Sequence, residues 1–417
     1  MKNIINWIIF ITFFILLLIP PFYWITRDGN WQQYSQLEVR NLAQFPEMDT
    51  GYLLASIQGQ NCSNNRLCIK DQSLQKSLDN ALSDQFPLRI DMILLARALE
   101  RYQIHAAYAL MPDPAIPADL DNDYLIMRGE QVFIQYPLPK SWVSIRTIND
   151  RIENYQQVLK KFPDINFYIF YLERMAFAPY NPAAEYFSGS EKRSSFNYFL
   201  ENKPGNLGVS TLLLDDYQEF KKNFFRTDHH WNARGAWQGY QRIYDMLAEN
   251  YPEISPKLRL EEFRTIEGVN FCGSYARRTL VPCQPEPFEV AIVDLPPYRS
   301  FIDGEEQPVG NRQEYLSGNF ERELYANHYA QYYGFVEDQI TFEFDNGSNR
   351  NLLIIGNSYT QAVQLFIAAH YHLTYIVNFR ENSDFNLGNF LKDHQVDDVL
   401  ILGDILTYGR SEWAIES

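Results

Sequence analysis

The chain has 417 residues, 46% of them hydrophobic, enough for one large domain or two modest ones with a buried core. Its formal net charge of −16 argues against a nucleic-acid-binding surface, because the phosphate backbone needs cationic contacts. The same charge disfavours a strongly anionic polymer as a tightly held ligand, unless a local basic patch overrides it.

From Ile4 to Trp24 the sequence is almost purely apolar, interrupted only by Asn6, Thr12 and two prolines. That is close to the roughly 20 residues that span a bilayer. Lys2 and the amino terminus are the only positive charges before it, which predicts an inside tail and an exported bulk. No small-residue cleavage site follows, so residues 1–24 read as an uncleaved, single-pass signal anchor rather than a removed leader. Residues 25–100 read as a juxtamembrane stretch of helix and loop. Within it, Ser77 to Arg101 carries mostly helical apolar spacing, broken at Phe86-Pro87.

Residues 101–417 read as one α/β domain. Pro112, Pro114 and Pro117 mark a turn cluster, and Tyr124–Met127 and Gln131–Ile134 flank Arg128-Gly129-Glu130 as a hairpin. An amphipathic helix is predicted over Ile145–Phe162, with Ile148, Ile152, Tyr155, Val158 and Leu159 as its inner face. Asn166–Leu172 follows as a buried strand. Residues 284–348 read as a loop-rich, aromatic insertion. Strands are predicted again at Leu352–Ile355, Thr374–Phe379 and Val399–Leu402, with helices between them. Strands alternating with helices predict a three-layer α/β/α fold around a mostly parallel sheet.

Two short segments carry chemistry. In Asp228-His229-His230-Trp231 an extended backbone would put Asp228 and His230 on one side, so that the carboxylate orients the imidazole. His229 would then point away. Asn232 is placed to cap a helix whose buried stripe is Ala236, Trp237, Tyr240, Ile243, Tyr244 and Leu247. Far downstream, Gly356-Asn357-Ser358-Tyr359 breaks an apolar strand and opens a helix. That context exposes a serine Oγ at the carboxyl edge of a sheet, beside helix N–H groups able to face an oxyanion. Asp228, His230 and Ser358 thus supply the acid, base and nucleophile of a triad, which is defined by geometry and not by order. Without a Gly-x-Ser-x-Gly elbow, a plain lipase is disfavoured.

Thr227-Asp228-His229-His230-Trp231-Asn232 resembles the signature of the DHHW family, relatives of the alginate acetylation proteins AlgJ and AlgX. Glu38-x-Arg40-x-Leu42-Ala43-x-Phe45-Pro46 and Asp84-Gln85-Phe86-Pro87-Leu88-Arg89 resemble the family's N-terminal segments, in the right order. The resemblance implies a permuted SGNH-hydrolase-like fold with Asp228 as orienting acid, His230 as base and Ser358 as nucleophile. It further implies O-acetylation of an extracytoplasmic polysaccharide as acceptor, with acetyl fed by a membrane-bound donor protein. Asn357 stands where many members carry Asp. This departure leaves open an alternative, a non-catalytic glycan-binding or envelope-assembly protein with a decayed triad.

The remaining candidates are weaker signals. Asn357, Asn327 and Tyr359 are candidates for oxyanion or substrate contacts, and Tyr325–Gly334 could line a sugar cleft with its aromatic rings. Cys62 and Cys68, and Cys272 and Cys283, each bracket a loop; two local disulfides suit an exported protein, and neither spacing is that of a zinc knuckle. His370-Tyr371-His372 lacks acidic or thiol partners at metal spacing. No cofactor or resident metal is expected.

Overall fold

A computed structural model of the protein describes residues 43–45, 72–84, 89–110, 118–120, 124–127, 129–137, 144–184, 193–378 and 385–404. The apolar segment 4–24, Cys62 and Cys68 lie outside these residues. Among the described residues no helix is long and apolar enough to cross a membrane. The chain divides into two compact units, residues 1–110 and 111–417.

The first unit contains α1 (Ser73–Asp84) and α2 (Arg89–Ala109). The buried carboxylate of Asp84 accepts the Ala43 N–H at 2.8 Å. Two of the segments that carry the family resemblance therefore meet here.

The second unit opens with a small antiparallel sheet, β1 (Ala118–Leu120), β2 (Tyr124–Met127) and β3 (Val132–Gln135). Then comes α3 (Ile145–Lys161), capped by Ser144, whose five predicted inner-face residues are all buried. The chain continues through β4 (Asn166–Leu172), α4 (Ser194–Asn202), β5 (Gly208–Leu212), α5 (Tyr217–Asn223) and α6 (Ala233–Ala248). Asn232 does cap α6, accepting from the N–H groups of Arg234 and Gly235. Of the predicted stripe only Tyr244 is left half-buried.

Further on lie β6 (Leu260–Thr265), α7 (Ser274–Thr279), β7 (Glu289–Val293), β8 (Tyr298–Ile302) and β9 (Glu305–Glu306). They are followed by α8 (Arg312–Ser317), α9 (His328–Tyr333), β10 (Gln339–Phe344) and β11 (Asn351–Gly356). A 3-10 turn over Ser358–Ala362 leads into α10 (Gln364–Ala368), and β12 (Leu373–Asn378), α11 (Leu387–Asp393) and β13 (Asp398–Gly403) complete the described fold.

The main sheet has eight strands in the order β5-β4-β13-β11-β12-β10-β8-β9. The five from β5 to β12 run parallel, while β10, β8 and β9 join antiparallel. The sheet is therefore mixed and not mostly parallel as expected. The antiparallel wing comes from the stretch that read as loop. Its strand β10, Gln-Ile-Thr-Phe-Glu-Phe, alternates half-buried and buried, as a strand with one wetter face does.

In the central strands both faces are covered. Tyr168, Phe170, Leu172, Leu352, Ile354, Leu400 and Leu402 pack on one side with α6 and α10. Phe167, Ile169, Tyr171, Leu353, Ile355, Val399 and Ile401 pack on the other with α3, α4 and α11. The expected three layers are present, and each large side chain buried contributes about 1.5–3 kcal/mol.

Gly356 ends β11 where a Cβ would collide with the Thr360 hydroxyl and stand 2.9 Å from the Leu402 carbonyl oxygen. Gly356→Ala should cost about 1–3 kcal/mol, read as a lowered midpoint in chemical denaturation. A midpoint equal to wild type would contradict this packing.

Candidate active site

The Asp228 loop is a bend and not the extended segment expected. It is closed at its base by an antiparallel bridge between Phe224 and Trp231. Asp228 Oδ1 accepts the backbone N–H of His230 at 2.9 Å, the local turn that a short acidic side chain favours. That turn, and not strand alternation, brings the carboxylate to the imidazole. Asp228 Oδ1 lies 2.5 Å from His230 Nδ1, and His230 Nε2 lies 2.7 Å from Ser358 Oγ. Asp228 and His230 are buried, while Ser358 remains half-exposed.

The supporting groups come from two places, of which the sequence had marked only the Cys272–Cys283 pair, found here as the expected disulfide, and the aromatic run Tyr325–Gly334. First, α7 seats itself on Asp228. Ser274 N–H donates to Asp228 Oδ2 at 2.6 Å, and Gly273 lies so close that a Cβ would stand 2.5 Å from that oxygen. Glu286 props the loop behind it, accepting from the N–H groups of Arg226 and Thr227 and from the Thr227 hydroxyl. The disulfide Cys272–Cys283 closes the loop containing α7. Second, Tyr329 on α9 lays its ring on His230, with centroids 3.9 Å apart and planes 10° apart, and its hydroxyl donates to the Ser358 carbonyl at 3.3 Å. The only sequence signal for Tyr329 was its place in the aromatic run Tyr325–Gly334. That run is mostly core, with Tyr329, Tyr332 and Tyr333 buried, so it does not form the open sugar cleft considered from sequence.

Asn357 Oδ1 caps the serine turn by accepting from Tyr359 N–H at 3.1 Å. A carboxylate can make the same bond, so replacing Asp by Asn leaves the turn intact. Tyr359 is buried, and its hydroxyl donates to the His229 carbonyl at 3.0 Å. Asn327 Oδ1 caps α9 at Ala330 N–H, and no hydrogen bond links it to the triad residues. His229 does not point away. It packs against His230 with centroids 3.8 Å apart and planes tilted by 37°, and its Nδ1 lies 2.8 Å from Ser274 Oγ.

Burial alone would raise the Asp228 carboxyl. The charge of His230, then of His229, the His230 hydrogen bond and the Arg277 charge outweigh it and hold the group well below the ordinary carboxylate range. Asp228 is thus ionised at neutral pH and suited to stabilising an imidazolium. Asp228, His229 and His230 also form the one group among the described residues with ligand atoms close enough for a metal ion. Both ring nitrogens of His230 are already committed to Asp228 and Ser358, so an ion there would have to break one of those two contacts. His370 Nε2 and Nδ1 contact Tyr240 and Ser255 hydroxyls inside the core, apart from this site.

The chain shares the fold of Bacillus cereus PatB1, solved with a sulfonyl adduct, at a TM-score of 0.55 and 16% identity over 71% of this chain and 100% of that one. It likewise matches a DHHW family protein from Eubacterium siraeum at 0.50 and 17%, over 72% and 96%. The O-acetyltransferase domain of Pseudomonas putida AlgJ aligns at 0.37 and 11%, over 68% and 91%, too loosely to bear on function. No protein-family model and no curated protein matches the sequence.

At the same carboxyl edge of the sheet, Glu173 follows β4 and is fully buried against Arg193, with N–O distances of 2.5 and 2.7 Å. Burial pushes its carboxyl up to about 7, with the Arg193 hydrogen bond and charge pulling the other way. A raised folded value means that its contribution to stability is complete below the ordinary 4.5 and lost as pH rises through about 7. Denaturant titrations of wild type and Glu173→Gln should therefore shift in the variant's favour across that window. A pH-independent difference between the two would contradict the assignment.

Proposed function

We propose that this chain is a serine-dependent O-acyltransferase or esterase, with acetyl as the acyl group, acting on a cell-envelope or exported polysaccharide. The observation that carries the reading is the unbroken hydrogen-bond chain from Asp228 through His230 to Ser358. In the proposed cycle Ser358 Oγ attacks the carbonyl carbon of an acetyl ester while His230 Nε2 takes its proton. Asp228 stabilises the resulting imidazolium. The Ser358 N–H, at the first position of its turn and without an intrahelical acceptor, faces the developing oxyanion. His230 then protonates the departing alcohol, which leaves an acetyl-serine. A sugar hydroxyl, deprotonated by His230, attacks that ester; the bond to Ser358 Oγ breaks, His230 returns the proton to Oγ and the sugar departs acetylated, while water in its place gives acetate.

The intact relay weighs against a decayed site, because acid, base and nucleophile are all present and in hydrogen-bond contact. The apolar segment 4–24 and the Cys272–Cys283 disulfide support a location outside the cytoplasm, anchored to the membrane. There a membrane-bound partner would supply acetyl.

Acetyl release from a chromogenic ester should be measurable with wild type and fall by about 10³-fold or more in Ser358→Ala and His230→Ala. Asp228→Asn should lose roughly 10⁴-fold, because an amide cannot hold the same tautomer. Acetylated sugar appearing when an oligosaccharide is added identifies transfer, and unchanged release of acetate identifies hydrolysis. A folded wild type inert to acetyl esters, with and without acceptor, would return the chain to the glycan-binding alternative.

A further inference from the structure

The antiparallel wing of the sheet holds a cavity of about 560 Å³ at the end opposite Ser358. It is formed by residues 297–299 entering β8, residues 343–345 at the end of β10, residues 347–349 before β11, and His372 before β12. Ser358 follows the last residue of β11, whereas this cavity precedes the first. Six residues at about 3.3 Å each put the two sites on the order of 20 Å apart. Its volume is that of a small-ligand site.

The walls have a definite chemistry. Tyr298 is 41% exposed. It lies opposite Phe344 in the β8–β10 pairing, with ring centroids 5.0 Å apart and an interplanar angle of 26°. Phe342 braces it edge-on at 6.0 Å. One face of the tyrosine is thus fixed by the core and the ring is held ready for a planar apolar partner. Around it, Asp345 and Asn349 are exposed and commit their side chains to no protein partner among the described residues. Arg299 is the one arginine or lysine in the lining, and it is neutralised by Glu343 at 2.6 Å and Glu306 at 3.9 Å.

These features sort the ligand. A cavity with two carboxylates and one already paired arginine repels an anionic polymer. A metal ion is disfavoured, because among the described residues convergent ligand atoms occur only at Asp228, His229 and His230. A neutral saccharide fits: its C–H face covers an exposed aromatic ring while its hydroxyls bond to carboxylate, amide and guanidinium groups. We propose that this cavity is a second saccharide-binding site, selective for neutral sugars, which holds a polysaccharide chain whose other part reaches Ser358. The proposal rests on the reading that a polysaccharide is the substrate.

The test uses the full-length protein, titrated with neutral hexasaccharides (of glucose, N-acetylglucosamine and mannose) and with an oligogalacturonate, alongside Tyr298→Ala, Asn349→Ala and Ser358→Ala. Chromogenic acetyl-ester turnover is recorded in parallel. At least one neutral oligosaccharide should bind wild type and Ser358→Ala alike, weaken about tenfold in Tyr298→Ala and less in Asn349→Ala, and outbind the galacturonate. Ester turnover should be unchanged in the Tyr298 and Asn349 variants. Equal binding by wild type and Tyr298→Ala, tighter binding of galacturonate, or no neutral sugar bound would overturn the second site. Sugar binding that depends on Tyr298 without any ester turnover would retain this site and instead overturn the proposed catalytic reading.

Discussion

Two reciprocal bonds, spanning 128 and 130 residues, hold the candidate site together. The indole Nε1–H of Trp231 donates to the Tyr359 carbonyl at 3.1 Å, and the Tyr359 hydroxyl donates back to the His229 carbonyl at 3.0 Å. Each bond leaves the residue beside a proposed catalytic group, one next to His230 and the other next to Ser358. The backbone segments that carry the imidazole and the hydroxyl are therefore held together, and the two side chains meet within that frame. Trp231 is itself fully buried and packs on Phe170 of β4 and Tyr359. The bolt is thus tied to the centre of the sheet. Gly239 on α6 leaves no room for a Cβ against the indole, so the helix closes the other side.

Around that bolt the structure divides the labour. The parallel strands β4, β13 and β11 deliver Glu173, Asp404 and Ser358 to one edge, where open α/β sheets place their ligands. The loop before α6 delivers Asp228 and His230, the proposed acid and base. The segment before β7 delivers α7, the disulfide and Glu286, which fix Asp228 from behind. Asp228 carries a dense set of partners because a buried carboxylate needs them. The hydroxyl it serves through His230 stays within reach of solvent and substrate.

Much of this was legible in the sequence. Asn166–Leu172 and the strand before Gly356 are unbroken apolar runs, and such runs mark strands buried on both faces. The inner face of α3 and the stripe of α6 followed from helical spacing, and Asn232 from its position before that stripe. Asp228, His230 and Ser358 were recognisable as a set because their residue types and flanking breaks suit one chemistry. Other features were hidden for physical reasons. The partner that α7 gives Asp228 is the backbone N–H of Ser274, which no side-chain pattern announces. The stacking of Tyr329 on His230 depends on tertiary packing, and in a chain with 28 tyrosines one more aromatic carries little signal. The wing β8–β10 was masked by polar and charged residues on its wetter face. The expectation that His229 points away assumed an extended backbone, and an Asp side chain folding onto its own main chain replaced that geometry with a bend.

The central claim is that Ser358 is made nucleophilic by His230. Labelling with a sulfonyl fluoride, read by intact mass and peptide mapping, tests it without presuming a donor or acceptor. Activation of Ser358 by His230 requires one sulfonyl group per chain, carried on Ser358, with labelling slowed strongly in His230→Ala and absent in Ser358→Ala. Labelling elsewhere, or at an equal rate in His230→Ala, would contradict it.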